Sequence, residues 1–250
     1  MERSAYAEMA AIDENHWWYR ARRRIVADLI TKRILPHMAT SQSHSARPII
    51  AEIGCGTGSN LPVLARFGTL TAIEPDGEAR AYAATRAEAR VLEGRLPDGL
   101  PLEDKSLDLA VMLDVLEHVD DDVAALKAVA SKLKPGARYL LTVPALPSLW
   151  SPHDEEHHHK RRYTASSLRH VIEAAGLKIA FISYFNTLLF PMIAAVRWMK
   201  NLTGSKAVDT GMPGDGLNRL LESVFAFERH LIGRVPFPVG VSLVVIVHQD

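Results

Sequence analysis

Glu52-Ile-Gly54-Cys55-Gly56-Thr-Gly58 is where residue type and spacing most clearly serve chemistry. Glycine lets the backbone turn sharply and approach a ligand closely, because a Cβ would collide with it. Three alternating glycines after an apolar run are a weak signal alone, but an acid follows, with Glu74 22 residues beyond Glu52. A carboxylate about 20 residues past such a loop is where an α/β nucleotide site holds the ribose hydroxyls. The loop departs from the dinucleotide fingerprint Gly-x-Gly-x-x-Gly, whose helix N-terminus carries a pyrophosphate. An acid just ahead of the glycines suits a ligand with an ammonium group and no phosphates. The competing reading is a tight strand-to-helix turn with no ligand. Cys55 sits inside the loop with no evident base, so it reads as packing rather than as a nucleophile.

Two further clusters have the types for chemistry. In His16-Trp17-Trp18-Tyr19-Arg20-Ala-Arg22-Arg23-Arg24, helical spacing puts Trp18 against Arg22 and Tyr19 against Arg23, which suits cation–π contact. The rival reading is an amphipathic helix packed on a sheet with a solvated basic face. The second cluster is Ser151-Pro-His153-Asp154-Glu-Glu-His157-His158-His159-Lys-Arg161-Arg162-Tyr163-Thr164, with four histidines in seven residues. Their spacing matches no standard zinc pattern, so no metal is expected. The segment can also be read as an ion-paired loop, Arg161 and Arg162 pairing with Asp154 and Glu155.

The elements that must position these residues are legible as alternating strands and helices. Pro48–Ile53, Thr69–Glu74, Leu107–Leu113, Ala137–Val143, Leu177–Tyr184 and Val239–His248 are short apolar runs with the look of buried strands. Gly77–Arg90, Asp120–Leu133 and Ser166–Ala175 read as helices, and Pro135-Gly136 reads as a stop. Such alternation argues an α/β fold with a doubly wound, largely parallel sheet. The 250 residues carry 29 basic and 29 acidic side chains, which disfavours a general nucleic-acid binder. One cysteine allows no internal disulfide. No run approaches the ~20 apolar residues of a membrane span. With no apolar h-region in 1–24 either, the expected location is cytoplasmic.

Together, Glu52–Gly58, Ala72-Ile-Glu74-Pro75, Leu107–Val119 with its Asp114-Val115-Leu-Glu-His118, and Leu133-Lys-Pro-Gly136 resemble the class I S-adenosylmethionine (SAM) methyltransferases over roughly residues 48–145. The resemblance implies a Rossmann-like sheet with helices on both faces, one antiparallel strand near the edge, and SAM across the strand ends. By resemblance, Gly54, Cys55, Gly56 and Gly58 line the methionine portion and Glu74 holds the ribose. The implied pocket takes in Glu52, Asn60, Pro75, Asp114, Val115 and His118. Where the family often places an acid for adenine, Glu93-Gly94-Arg95-Leu96 offers Arg95 and Leu96. The HWWYRARR segment resembles the N-terminus of a bacterial subgroup, which makes Tyr19 and Arg23 candidates for a cap over the cofactor.

Residues 151–164 resemble the same subgroup's H-D-x-x-x-G-H-x-R-R-Y-T signature, with His158 where glycine is usual. In that fold the segment reaches the acceptor pocket. His153 and His159 are therefore candidates for base or acceptor orientation, with Asp154 as orienter.

The expected layout is an N-terminal helical cap over 1–47, a SAM-binding core over 48–184, a helical lid or acceptor insertion over 185–238, and a final core strand over 239–250. The expected activity is methyl transfer to a small or lipid-like acceptor, most readily at oxygen, leaving S-adenosylhomocysteine. C- or N-methylation and a non-catalytic SAM sensor are the rivals. The interrupted apolar stretch 181–199 reads as a lid or homodimer surface, with peripheral membrane contact as the sharper alternative.

Overall fold

The computed structural model describes residues 10–38, 47–86, 89–203 and 211–249. Parts of the expected cap, at 1–9 and 39–46, and part of the expected lid insertion, at 204–210, lie outside the described residues.

Seven strands form one sheet: β1 (Ile49–Ile53), β2 (Thr69–Ile73), β3 (Arg90–Leu92), β4 (Leu107–Leu113), β5 (Leu133–Pro144), β6 (Lys178–Phe185) and β7 (Ser242–His248). Their order is β3-β2-β1-β4-β5-β7-β6. β1 pairs in parallel with β2 and β4, while β7 runs antiparallel between β5 and β6. β4 is buried at all seven positions, as a strand covered by helices on both faces must be. The chain winds outward from β1 to β3, then crosses to β4 on the other side of β1. That reversal opens a crevice at the carboxyl ends of β1 and β4, where α/β sheets bind ligands.

Among the described residues, the α-helices that matter for the site and its covering are α1 (Trp17–Leu29), α2 (Gly77–Ala83), α3 (Asp122–Ala130), α4 (Pro152–Glu156), α5 (Ala165–Ala174), α6 (Phe190–Thr203) and α7 (Asp215–Phe227). The apolar stripe of α1, Ile25, Val26 and Leu29, packs on one face of the sheet. Leu126 and Val129 of α3 and Leu168 and Ile172 of α5 pack on the other. Asp76 and Asp121 cap α2 and α3 by accepting from backbone N–H groups of the first turn.

Two local readings shift. The helix expected through Arg90 ends at Ala83, and Arg90–Leu92 is an edge strand too short to give a periodic signal. β5 starts at Leu133 and carries Pro135-Gly136 within it, with a register slip opposite Leu107 and Leu109.

Residues 185–238 hold α6 and α7. α7 lies against α1. Asn218 accepts from the Trp17 N–H and donates to the Asn15 carbonyl, both at 2.9 Å. Glu222 takes ion pairs from Arg20 at 3.0 Å and Arg24 at 2.8 Å. The Trp17 ring meets Phe225 edge-on. Among the described residues, no helix is long and apolar enough to cross a membrane.

Candidate active site at the carboxyl edge of the sheet

The glycine loop is held by backbone bonds: Gly54 and Cys55 N–H both donate to the Ile73 carbonyl, at 2.8 and 3.0 Å. Gly54 and Gly58 have φ of 72° and 82°, where L side chains strain. A Cβ on Gly54 would also lie 2.5 Å from Val115, and one on Gly58 would lie 2.8 Å from the Ala83 backbone. Gly56 differs. Its φ is 54°, but a Cβ there would meet no protein atom within 4 Å. The backbone thus borders open space over Gly56, the room a ligand needs.

Glu74 closes that space. Its carboxylate accepts from the Gly56 N–H at 2.9 Å and the Asp76 N–H at 3.1 Å. Each oxygen retains acceptor capacity for a ribose hydroxyl. Burial raises the Glu74 pKa, and the two backbone donors oppose that rise. Glu52 is 1% exposed, and one oxygen accepts from Asn60 Nδ2 at 2.8 Å. The other has no partner among the described residues. Burial pushes the Glu52 pKa up to about 7, with Asn60 opposing. A buried carboxylate with an unpartnered oxygen beside an open cradle fits the ammonium and ribose of SAM. Burial also pushes the Cys55 thiol up, as for an inert packing residue.

Pro75 and Arg95 are exposed, and Leu96 is half-buried. The structure thus gives Arg95 no enclosed position for an adenine contact. Arg80, which the sequence reading passed over, ties this rim together by donating to the carbonyls of Glu74 and Pro75 and to Glu93.

The N-terminal helix contributes a different arginine from the one expected. Arg23 turns away and donates to the Asp13 and Glu14 carbonyls. Arg22, on the buried face of α1 with Ile25 and Leu29, reaches into the crevice and pairs with Asp114 at the end of β4. Its guanidinium lies 4.4 Å from the Trp18 ring centroid and 5.8 Å from that of Tyr19. The Trp18–Arg22 spacing in the sequence carried this contact. Asp114 has φ of 58° and also accepts from Thr142. Asp13, missed in the sequence, is fully buried and accepts from Thr57 of the glycine loop and from Arg86.

On the other side of β4 the histidine segment is built around Asp154, which is 0% exposed. It accepts from the Ser151 N–H at 2.9 Å, from Arg162 Nε at 2.7 Å and Nη2 at 3.0 Å, and lies 2.8 Å from His159 Nδ1. Burial alone would raise its pKa, but the bonds from His159 and Arg162 outweigh that and hold it well below the usual carboxylate range. Arg161 instead pairs with Asp122. His158, which stands where the resembling signature has glycine, adopts φ of 54°, in the left-handed region that favours glycine. The His118 and His159 rings lie 4.8 Å apart, and His153 lies 6.1 Å from His159. Burial lowers the His118 and His157 pKa values to about 4. The structure therefore brings His118, His153, His159 and Asp154 together, from the segments that follow β4 and β5.

The comparisons agree with this geometry. A family model described as a methyltransferase domain matches residues 17–180. The ubiquinone biosynthesis O-methyltransferase of Aeromonas salmonicida is 29% identical over 153 residues, 54% of this chain and 64% of that protein. An O-methyltransferase of Aspergillus sclerotiorum is 29% identical over 119 residues, 44% of this chain and 45% of that protein. The chain spans less than two thirds of the length of the curated relatives it matches. Among solved structures, a SAM-dependent methyltransferase from Archaeoglobus fulgidus aligns with a TM-score of 0.55 at 18% identity, covering 91% of this chain and 94% of its own. The cyclase SpnF aligns at 0.60 and 17% identity, covering 99% and 92%, so the fold alone does not name a reaction. With the family model running from α1 to β6 over an intact glycine loop and Glu74, the chain belongs to the class I SAM-dependent methyltransferases.

Proposed function

We propose that the protein methylates a hydroxyl oxygen of a small or lipid-like acceptor. The single observation that carries this is the His159–Asp154 pair in the segment after β5, with His118, just beyond β4, and His153 near. The two O-methyltransferase relatives support oxygen as the methylated atom.

Each residue then has a task. Glu74 accepts from the ribose hydroxyls. Glu52 offers its unpartnered oxygen to the ammonium, and Arg22 offers its guanidinium to the carboxylate of the methionine portion. Trp18 and Tyr19 cover this end and exclude water. SAM supplies a methyl group on a sulfonium, open to in-line displacement by an oxygen lone pair. Asp154 holds His159 through Nδ1, which leaves Nε2 free to take the hydroxyl proton. Arg162 keeps Asp154 charged throughout. We assign the covering of the acceptor to α6, and the bond from its Arg197 to the Leu149 carbonyl, two residues before the histidine segment, supports this.

The test is an acceptor screen with SAM, phenols and aliphatic alcohols of increasing chain length, read by mass spectrometry for a gain of one CH₂. His159→Ala should lower the transfer rate about 10²–10⁴-fold while S-adenosylhomocysteine affinity is kept. Methylation at nitrogen or carbon would overturn the oxygen assignment. Tight S-adenosylhomocysteine binding with no transfer to any acceptor would turn the reading toward a sensor.

A further inference from the structure

Glu117 has no task in that account, yet it is among the most buried polar residues, at 0% exposed. Neither carboxylate oxygen has a hydrogen-bond partner among the described residues. A carboxylate taken out of water with nothing to replace its hydration is costly, so such a group calls for a cation or a proton. A carboxylate oxygen of Glu117 and a ring nitrogen each from His118 and His159 all lie within 4.8 Å of one another. The two segments are pinned there by the Lys160 N–H, which donates to the Glu117 carbonyl at 2.9 Å.

The outer contacts point the same way. His159 is fixed at Nδ1 by Asp154, whose charge Arg162 balances. The His118 ring lies 4.8 Å from that of His159, centroid to centroid. His159 therefore has one nitrogen held by an oxygen partner, as metal-ligating histidines do.

We propose that Glu117, His118 and His159 bind one divalent first-row transition-metal ion, with Asp154 orienting the His159 imidazole. One carboxylate and two imidazoles suit zinc, manganese, iron or cobalt better than magnesium or calcium, which prefer oxygen donors. Three protein ligands leave coordination positions open. The role of such an ion rests on the O-methylation reading: an acceptor hydroxyl bound there would lose its proton more readily. His159 is then a ligand, and His153 is the remaining imidazole for the proton. Binding itself rests only on the geometry. The expectation of no metal came from linear spacing, whereas these ligands come from two segments, His118 and His159 being 41 residues apart.

The test uses the tag-free full chain, stripped with chelator and titrated with Zn²⁺ or Co²⁺ alone, without acceptor. Elemental analysis and calorimetry should find one ion per chain, and cobalt should show the visible absorption of a mixed imidazole–carboxylate site. Asp154→Asn should weaken binding about 10–100-fold. Glu117→Gln and His118→Ala should each weaken it further, with circular dichroism and the melting temperature confirming that each variant is folded. Glu156→Gln should leave binding unchanged, because the neighbouring trio His153, Glu156 and His157 has an exposed carboxylate. No stoichiometric uptake by the wild-type chain would overturn the proposal. So would uptake that survives Glu117→Gln, or uptake lost in Glu156→Gln. One ion per chain together with methylation at nitrogen or carbon would support the site and fault only the oxygen assignment.

Discussion

The two ends of the crevice are built by different means. At the glycine loop, backbone does the positioning: Gly54 and Cys55 N–H groups clamp onto Ile73, and Gly56 N–H fixes Glu74. At the histidine cluster, side chains do it: Asp154 gathers Ser151, His159 and Arg162, with Arg162 also donating to the Ala145 carbonyl. A backbone-built site loses ligand contacts when one side chain goes, but keeps its shape. A site organised round one buried charge loses its shape.

That contrast can be broken most directly at Asp154. Asp154→Ala leaves the Arg162 guanidinium buried and uncompensated, and removing one member of a buried pair costs about 3–5 kcal/mol. Urea unfolding should show a loss of that order. Wild-type stability in Asp154→Ala would mean that the histidine segment is as tolerant as the loop.

A somewhat smaller effect is expected at Glu52. Its folded pKa of about 7 lies above its ordinary 4.5, so the folded state binds the proton more tightly. The stability contributed by that protonated form is present below about pH 4.5 and is lost as pH rises through about 7. At 1.36 kcal/mol per pKa unit the loss is of order 3 kcal/mol. Glu52→Gln cannot ionise, so the wild type should fall relative to it between those pH values in melting experiments on the ligand-free chain. Parallel pH curves would contradict the buried, half-partnered environment of Glu52.

The smallest of the three sharpens the comparison from the loop side. Glu74→Ala removes a charged acceptor, worth about 1.5–3 kcal/mol of ligand affinity, while the loop keeps its bonds to Ile73. Calorimetry with S-adenosylhomocysteine should show that loss with little change in melting temperature. Unchanged affinity would remove Glu74 from the ribose site.

The same difference explains what the sequence disclosed. A loop that needs positive φ at fixed positions must write glycine into the chain, so Gly54, Gly56, Gly58 and the acid after β2 were readable. The sheet was readable for a similar reason, since β1 and β4 are apolar runs broken only by Glu52 and Asp108, and β7 is apolar between Ser242 and His248. Arg22 was harder. Arg22, Arg23 and Arg24 are chemically equal, and only the docked phase of α1 selects Arg22. Glu117 was hidden inside Asp-Val-Leu-Glu-His, where a helical turn with a solvated acid reads equally well. Its meaning depends on residues 158–160 folding back over it. Of the insertion, the two helices were readable but their placement was not, because α7 is paired with α1 through Asn218 and Glu222, about 200 positions away in the chain.

That long-range pairing has a consequence for synthesis. Arg22 rides on α1, and α1 is braced by α7, while Arg33 just beyond it donates to the Gly233 carbonyl. A ribosome adding about 5–20 residues per second makes α1 some ten seconds or more before its partner. Until then Trp17 has no Phe225 to meet, and Arg20 and Arg24 have no carboxylate. The nascent chain can form its glycine loop early, but the wall that Arg22 completes must wait until α7 has been made. Translation speed through residues 190–230 thus bears on when a growing chain first becomes able to hold its cofactor.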